Sequence, residues 1–213
     1  MSEIKISEKK HIIFDFDGTI GDSLRSGIEI FNSIHYKYKL PFITEIEIEE
    51  FRNEGIFALK KKLKIPFYRI PLLLTELRLL ISGKIDGVHP FEGIPEFLRN
   101  IQNKGYKLSI LTSNSEENVR RFLHNHDLNI FTDIHGGSGV FNKHRRLKKF
   151  LKALGTDKKN AVYVGDEVRD IVSARKLGLP MIAVTWGYNS KVALLRFKPE
   201  FVVDTVEELT NLF

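Results

Sequence analysis

Apolar residues along this chain fall into two kinds of pattern. Short, near-continuous runs rich in β-branched residues occupy positions 11–17, 107–112, 161–166 and 181–185. Shorter runs at 201–203 and 131–135 are candidates of the same kind. Runs of this length with little alternation predict strands buried on both faces. Between them the spacing becomes helical. Leu147, Phe150, Leu151 and Leu154 recur at i, i+3, i+4 and i+7, with Gly155 as a stop. Ile171, Ala174 and Leu177 repeat the pattern and are closed by Gly178 and Pro180. Val119, Phe122 and Leu123 predict a helix behind an N-cap at Ser115. Residues 94–103 predict another, with Pro95 in its first turn and Gly105 past its end. Strands alternating with helices predict an α/β fold with a doubly wound, Rossmann-like parallel sheet.

Residues 21–91 break that alternation, because no strand pattern occurs in them. Leu24, Ile28, Phe31, Ile34 and Tyr38 form a helical stripe, and 45–51, 56–63 and 72–81 predict further helices. The expected organisation is a catalytic core made of residues 1–20 and 92–213, with a small α-helical cap inserted at 21–91.

Composition narrows the class. An apolar share of 42% in 213 residues suits a packed core, not a disordered chain. There is no cysteine, which removes disulfides, thiolate zinc sites and a thiol nucleophile. That composition and an N-terminus without a long apolar run predict a cytoplasmic protein with no signal peptide. The greasiest stretch, 71–81, is interrupted by Glu76 and Arg78 and is too short to span a bilayer, so no membrane is expected as a partner. The net charge is +6, with basic residues concentrated at 60–64 and 143–152. No groove-reading motif or aromatic ladder accompanies them. They predict solvated helix faces with some attraction for small anions, and disfavour nucleic acid as a partner.

Chemistry-bearing residues collect at strand ends. Asp15 and Asp17 are two apart at the end of the first run, so they emerge on one side of a strand tip, and Gly18 lets the chain turn away. Two carboxylates placed there repel each other, and a hard divalent cation would offset that cost. The second run ends in Thr112-Ser113-Asn114, where backbone N–H groups at a helix start suit an anion. The third ends in Gly165-Asp166, followed by Asp170. In an open parallel sheet, ligands bind in the crevice at the carboxyl ends of the strands. The seven histidines show no ligand spacing apart from His124 and His126, which fall at a predicted helix end.

In this order, Asp15-Phe16-Asp17-Gly18-Thr19, Thr112, Lys143 and Gly165-Asp166-Glu167-Val168-Arg169-Asp170 resemble the motifs of phosphatases in the haloacid dehalogenase-like hydrolase superfamily. The resemblance covers nearly the whole chain. Asp22-Ser23, the helical insert and Ala183-Val184-Thr185-Trp186-Gly187-Tyr188 further resemble its phosphoglycolate-phosphatase-like members. It implies a Mg²⁺-dependent phosphomonoester hydrolase that forms an aspartyl-phosphate on a small phosphorylated metabolite, with a phosphoglycolate-like substrate favoured. Asp15 would be the nucleophile and a metal ligand. The Asp17 side chain would act as acid and base, and its backbone carbonyl would bind the metal. Asp166 would be a metal ligand, and Asp170 would position metal-bound water or the catalytic lysine. Thr112 would donate its hydroxyl to the phosphoryl group, together with backbone N–H groups at Ser113 and Asn114.

Lys143, Lys148, Lys149 and Lys152 are all candidates for that lysine. The helical stripe leaves the last three on the solvent side, whereas Lys143 precedes the helix, where a loop can aim it at the sheet edge. Many relatives carry proline next to the lysine; this chain has His144. The presence of Asp17 disfavours dehalogenation, whose chemistry does not use the second acid. Competing readings are a non-catalytic phosphate-binding or regulatory protein on the same fold, a nucleotide or nucleic-acid phosphatase, and a phosphomutase. Arg25, Arg52, Lys60 and Arg69 are cap cations that could meet an acidic substrate group. Oligomeric state is not legible in the sequence.

Overall fold

Strand β1 (His11–Phe14) has no exposed position, because it runs through the middle of the sheet and is covered on both sides. The structure is a computed structural model that describes residues 5–54, 70–137 and 143–213. β1 pairs with β2 (Lys107–Leu111) on one side and β4 (Ala161–Gly165) on the other; His11 lies opposite Lys107 and Ala161. With β3 (Asp133–His135), β5 (Met181–Val184) and β6 (Phe201–Val203) the order is β3-β2-β1-β4-β5-β6, and every pair is parallel. The chain builds outward from β1 to β3, returns, and builds outward the other way from β4 to β6. The switch between β1 and β4 opens a crevice at their carboxyl ends, where no crossover helix can cover the edge.

Side-chain alternation divides the core in two. Ile12, Phe14, Leu108, Ile110, Val162, Val164, Ile182 and Val184 face one layer. That layer holds α4 (Ile94–Asn103), through Phe97, Leu98 and Ile101, and α5 (Glu116–Asn125), through Val119, Phe122 and Leu123. Leu209 of α9 (Val206–Thr210) joins the same layer. Ile13, Leu111, Tyr163, Met181 and Ala183 face the opposite layer. There they meet Leu147, Phe150 and Leu151 of α6 (Lys143–Ala153), Ile171 and Ala174 of α7 (Val168–Leu177), and Leu194 of α8 (Lys191–Leu195). Each fully buried aliphatic or aromatic side chain contributes about 1.5–3 kcal/mol of transfer free energy. A one-residue slip of any central strand would exchange the two sets.

Among the described residues, three helices lie between β1 and α4: α1 (Leu24–Tyr38), α2 (Glu45–Glu54) and α3 (Ile70–Lys84). They bury a cluster of their own, with Phe31, Ile34, Tyr38, Leu40, Ile43 and Leu73 at its centre. The chain enters and leaves this segment side by side: Asp22 N–H donates to His89 O at 2.8 Å, and Phe91 N–H donates to Ile20 O at 3.0 Å. No helix among the described residues is long and apolar enough to cross a membrane.

Most expected elements occur with shifted ends. The helix expected at 45–51 continues to Glu54, and that at 72–81 is part of Ile70–Lys84. The helix expected at 56–63 lies outside the described residues. The strand expected at 131–135 contracts to Asp133–His135, because Phe131 leaves the ladder to pack edge-on against Phe14, with ring centroids 6.2 Å apart. Lys148, Lys149 and Lys152 are exposed, as the periodicity of α6 requires.

His11 starts β1 beneath the sheet and is 3% exposed. Its Nδ1 lies 2.9 Å from Thr156 Oγ1 and its Nε2 2.8 Å from Ser109 Oγ. Burial, opposed by the Asp133 charge, lowers its pKa below the ordinary 6.5. The unfolded chain therefore binds the proton more readily, so this contribution is complete above pH 6.5 and is lost as pH falls below it. Urea unfolding on both sides of that pH will show the wild type losing stability on acidification relative to His11→Asn; parallel pH curves for the two proteins would contradict this.

Candidate active site

Asp15 follows β1 directly, and its N–H donates to Val164 O at 2.8 Å, which carries the ladder one residue further. This backbone bond sets its carboxylate at the β1–β4 switch. Oδ1 accepts from Phe16 N–H at 2.8 Å, and Oδ2 meets Lys143 Nζ at 2.5 Å. Asp166 follows β4 and is fully buried. Its Oδ1 accepts from Thr19 Oγ1 at 2.8 Å and its Oδ2 from Tyr188 N–H at 2.7 Å. Asp170 sits in the first turn of α7, where Oδ2 accepts from Glu167 N–H at 3.1 Å and so caps the helix. Its Oδ1 has the Lys143 ammonium as ion-pair partner.

Lys143 is the first residue of α6, not part of a loop ahead of it as the sequence suggested. Only 4% of its side chain is exposed, and its ammonium stands 5.3 Å from the centre of the Tyr163 ring. Burial alone would drive off its proton, but Asp15 and Asp170 outweigh that and raise its pKa. The packing of α6 on α7 brings cation and carboxylates together.

Carboxylate oxygens of Asp15, Asp166 and Asp170 lie within 4.8 Å of one another. Of these three buried acids, Asp15 and Asp170 pair with the Lys143 ammonium, and the neighbouring Arg169 is paired with Glu167. Burial pushes Asp170 up to about 7 against the pull of Lys143, and pushes Asp166 well above the usual carboxylate range. The excess negative charge and the all-oxygen donors suit a small hard dication that keeps part of its water shell. Backbone shapes the same place. A Cβ at Gly18, which has φ +77°, or at Gly187 would collide with the Asp166 carboxylate. The residues present therefore fit Mg²⁺.

Asp17 belongs to a different set. Its Oδ1 accepts from Ser23 Oγ at 2.8 Å, and Asn114 Nδ2 lies 3.2 Å from both its oxygens. Since the Ser23 proton goes to Asp17, the Tyr188 hydroxyl at 3.2 Å is the donor to Ser23. Desolvation raises Asp17 to about 6 in spite of these donors, with the Asp15 charge adding to the effect. Its side chain is not one of the three clustered carboxylates.

Thr112 is fully buried at the end of β2; its Oγ1 accepts from Asn114 N–H at 3.0 Å, and its carbonyl accepts from Arg146 at 2.5 Å. Ser113 Oγ lies 3.4 Å from Arg169 Nη2. Of Thr112, Ser113 and Asn114, it is Asn114 whose side chain is hydrogen-bonded to an aspartate. Among the expected cap cations, Arg25 is exposed on α1. Arg52 is spent on the carbonyls of Gly187 and Thr185, at 3.2 and 3.0 Å, and so holds α2 to the loop after β5. Lys60 and Arg69 lie outside the described residues. A small cleft beside Asp17 is walled by Ser23, Ser26, Lys84, Tyr188, Ile81 and Ile85.

Several contributors escaped the sequence reading. Thr19 and Arg169 stand inside the quoted motifs, where their proximity to Asp17 and Asp170 was a usable signal. Ser23 and Tyr188 stand in the segments that resemble the phosphoglycolate-phosphatase-like members, but their contacts with the aspartates form only in the folded chain, and Asn118, which bonds Asn114, carries no sequence signal.

Residues 12–184 match the family described as haloacid dehalogenase-like hydrolase. Among curated proteins, a phosphoglycolate phosphatase of Synechococcus elongatus is 29% identical over 93% of this chain and 94% of its own. Pyrophosphatase PpaX of Bacillus cereus is 27% identical over 93% of each chain. The solved structure of a haloacid dehalogenase-like family hydrolase from Streptococcus pneumoniae superposes with a TM-score of 0.82 at 22% identity, over 97% of this chain and 100% of that one. With sequence motifs, sheet order and family match in agreement over most of its length, this chain belongs to the haloacid dehalogenase-like hydrolase family.

Proposed function

We propose that the protein is a Mg²⁺-dependent phosphomonoester hydrolase that acts on a small phosphorylated metabolite, with phosphoglycolate the favoured substrate. The observation that carries this is the separation of two neighbouring aspartates into unlike surroundings. Asp15 joins Asp166, Asp170 and Lys143, while Asp17 is held apart by Ser23 and Asn114. One carboxylate can then attack while the other handles the proton.

In this mechanism Asp15 attacks phosphorus and the ester oxygen departs with the proton of Asp17, leaving an aspartyl-phosphate. Asp17 next takes a proton from water, which attacks the same phosphorus, releases inorganic phosphate and frees Asp15. Thr112, the Ser113–Asn114 turn and Lys143 hold the phosphoryl oxygens in line. Asp15, Asp166 and the Asp17 carbonyl, with Asp170 alongside, would hold Mg²⁺, which would neutralise phosphoryl charge that these acids otherwise repel.

Residues 21–91 serve in this proposal as a cap on a core of 1–20 and 92–213, closing over the crevice to exclude water and select substrate. The phosphoglycolate preference draws on the name of the Synechococcus relative and on the small cleft beside Asp17, whose lining includes Lys84, a group that suits an anionic substrate. A cytoplasmic location belongs to the same proposal, because phosphate charge keeps such metabolites inside membranes.

Phosphate release from phosphoglycolate, pyrophosphate, nucleotides and sugar phosphates, with and without Mg²⁺, tests the function. Turnover of none of them would refute it. Asp15→Asn should lower turnover by about 10³-fold or more while melting cooperatively near the wild-type temperature; near-normal activity would remove Asp15 from its role. Mg²⁺ should raise the wild-type Tm, by about 2.7 kcal/mol of stabilisation at a hundredfold excess over its Kd. Asp166→Ala should abolish that shift, and an undiminished shift would place the metal elsewhere.

A further inference from the structure

Asp17 ends a row of hydrogen bonds that begins outside the crevice. Ser82, on α3, donates through Oγ to Asn118 Oδ1 at 2.8 Å. Asn118, on α5, donates through Nδ2 to Asn114 Oδ1 at 3.0 Å. Asn114 in turn presents Nδ2 to both oxygens of Asp17 at 3.2 Å. The direction of this row is fixed by a neighbour. Ser115 N–H can only donate, and it lies 2.8 Å from Asn114 Oδ1, so the amide of Asn114 must face Asp17. Asn114 Oδ1 is then the acceptor for Asn118 Nδ2. Asn118 Oδ1 in turn needs a donor, which the Ser82 hydroxyl supplies.

Two features give this row a consequence. Asn118 is 3% exposed, so losing either partner leaves a buried amide unpaired, at a cost of about 1–3 kcal/mol. Donors in line also polarise one another toward the terminal carboxylate. At that carboxylate the oxygens are unequal. Among the described residues, Oδ1 takes the Ser23 hydroxyl as well as the Asn114 amide, whereas Oδ2 has only the shared Asn114 contact. Ser23 thus occupies Oδ1, and the Asn114 amide holds the carboxylate so that Oδ2 is the oxygen open to a leaving group. Its far end is anchored, since the Ser82 carbonyl accepts from Arg121 of α5.

We infer that Asn118 and Ser82 are positioning residues: through Asn114 they orient the Asp17 carboxylate, and they make that orientation depend on α3 being seated on α5. The inference rests on the phosphatase reading above. It ties proton delivery to the placement of the helical segment, since lifting α3 withdraws the first donor of the row.

Leaving-group chemistry separates this role from a merely structural one. An alkoxide must be protonated as it departs, whereas p-nitrophenolate leaves without a proton. A misaligned Asp17 thus slows alkyl phosphates and spares the aryl ester. The test compares kcat/KM for p-nitrophenyl phosphate with that for the alkyl phosphate the wild type hydrolyses fastest, phosphoglycolate being tried first. Asn118→Ala should lower the alkyl value by about 10- to 100-fold, at the lower end of what a positioned proton donor contributes, and the aryl value by less than about twofold. Ser82→Ala should lower the alkyl value selectively by about threefold, and Ser82→Thr should restore it. Ser82 is half-buried, so its variants carry the test if Asn118→Ala does not fold. Equal losses on the two esters, or no loss in a folded variant, overturn the inference and leave the phosphatase reading standing. A wild type that hydrolyses no alkyl phosphate overturns both.

Discussion

Three carboxylates buried beside a single ammonium set the terms for everything around them. Asp15, Asp166 and Asp170 are delivered by β1, β4 and α7; Asp15 and Asp170 meet Lys143, and Asp166 is held by Thr19 and Tyr188. Such a cluster is costly without a cation, because the desolvated charges repel and burial favours protons on the acids. Breaking a buried ion pair by removing one partner typically destabilises by about 3–5 kcal/mol. The surrounding fold answers that constraint with α6 docked on α7, glycine where backbone meets Asp166, and a helix start capped by Asp170 itself.

The same constraint explains why the two aspartates of the first motif differ. They leave β1 two residues apart, yet the positive φ at Gly18 and the short turn behind it bring Ser23 onto Asp17. Asn114 approaches from the end of β2. The Lys143 ammonium is shared by Asp15 and Asp170. The unlike surroundings of acids two residues apart are thus produced by neighbours from four separate parts of the chain. One of those neighbours, Tyr188, donates its N–H to Asp166 and its hydroxyl to Ser23, so the loop after β5 braces both sets at once.

The helical segment is connected to these sets more closely than a tethered lid would require. Arg52 grips the carbonyls of Thr185 and Gly187 on that loop, and Ser82 reaches toward Asp17 through two amides. Its own apolar cluster makes it a unit, while these polar contacts tie its position to the groups around Asp17. Polar contacts of this kind can be made and broken with little net change in free energy, as the proposed role of a cap requires.

Local pattern alone determined a good deal. The β-branched runs, the helical stripe from Leu147 to Leu154, the Ser115 cap and the acids at the strand tips were all legible, because burial on two faces and turn chemistry act over a few residues. The family followed from motif order. The strand ends at Phe131 and the first residue of α6 were not legible, since edge-on packing against Phe14 and docking on α7 are contacts between distant segments. Arg52 could have been a substrate cation or a surface charge, and only the fold showed it bonded to backbone carbonyls and paired with Glu49. The sequence by itself determined which groups could do chemistry and at which edge of a sheet they would gather. Tertiary structure alone decided which acid pairs with Lys143, which is held by Ser23 and Asn114, and how Ser82 comes to touch that arrangement. Those are questions of long-range proximity, and no local period encodes them.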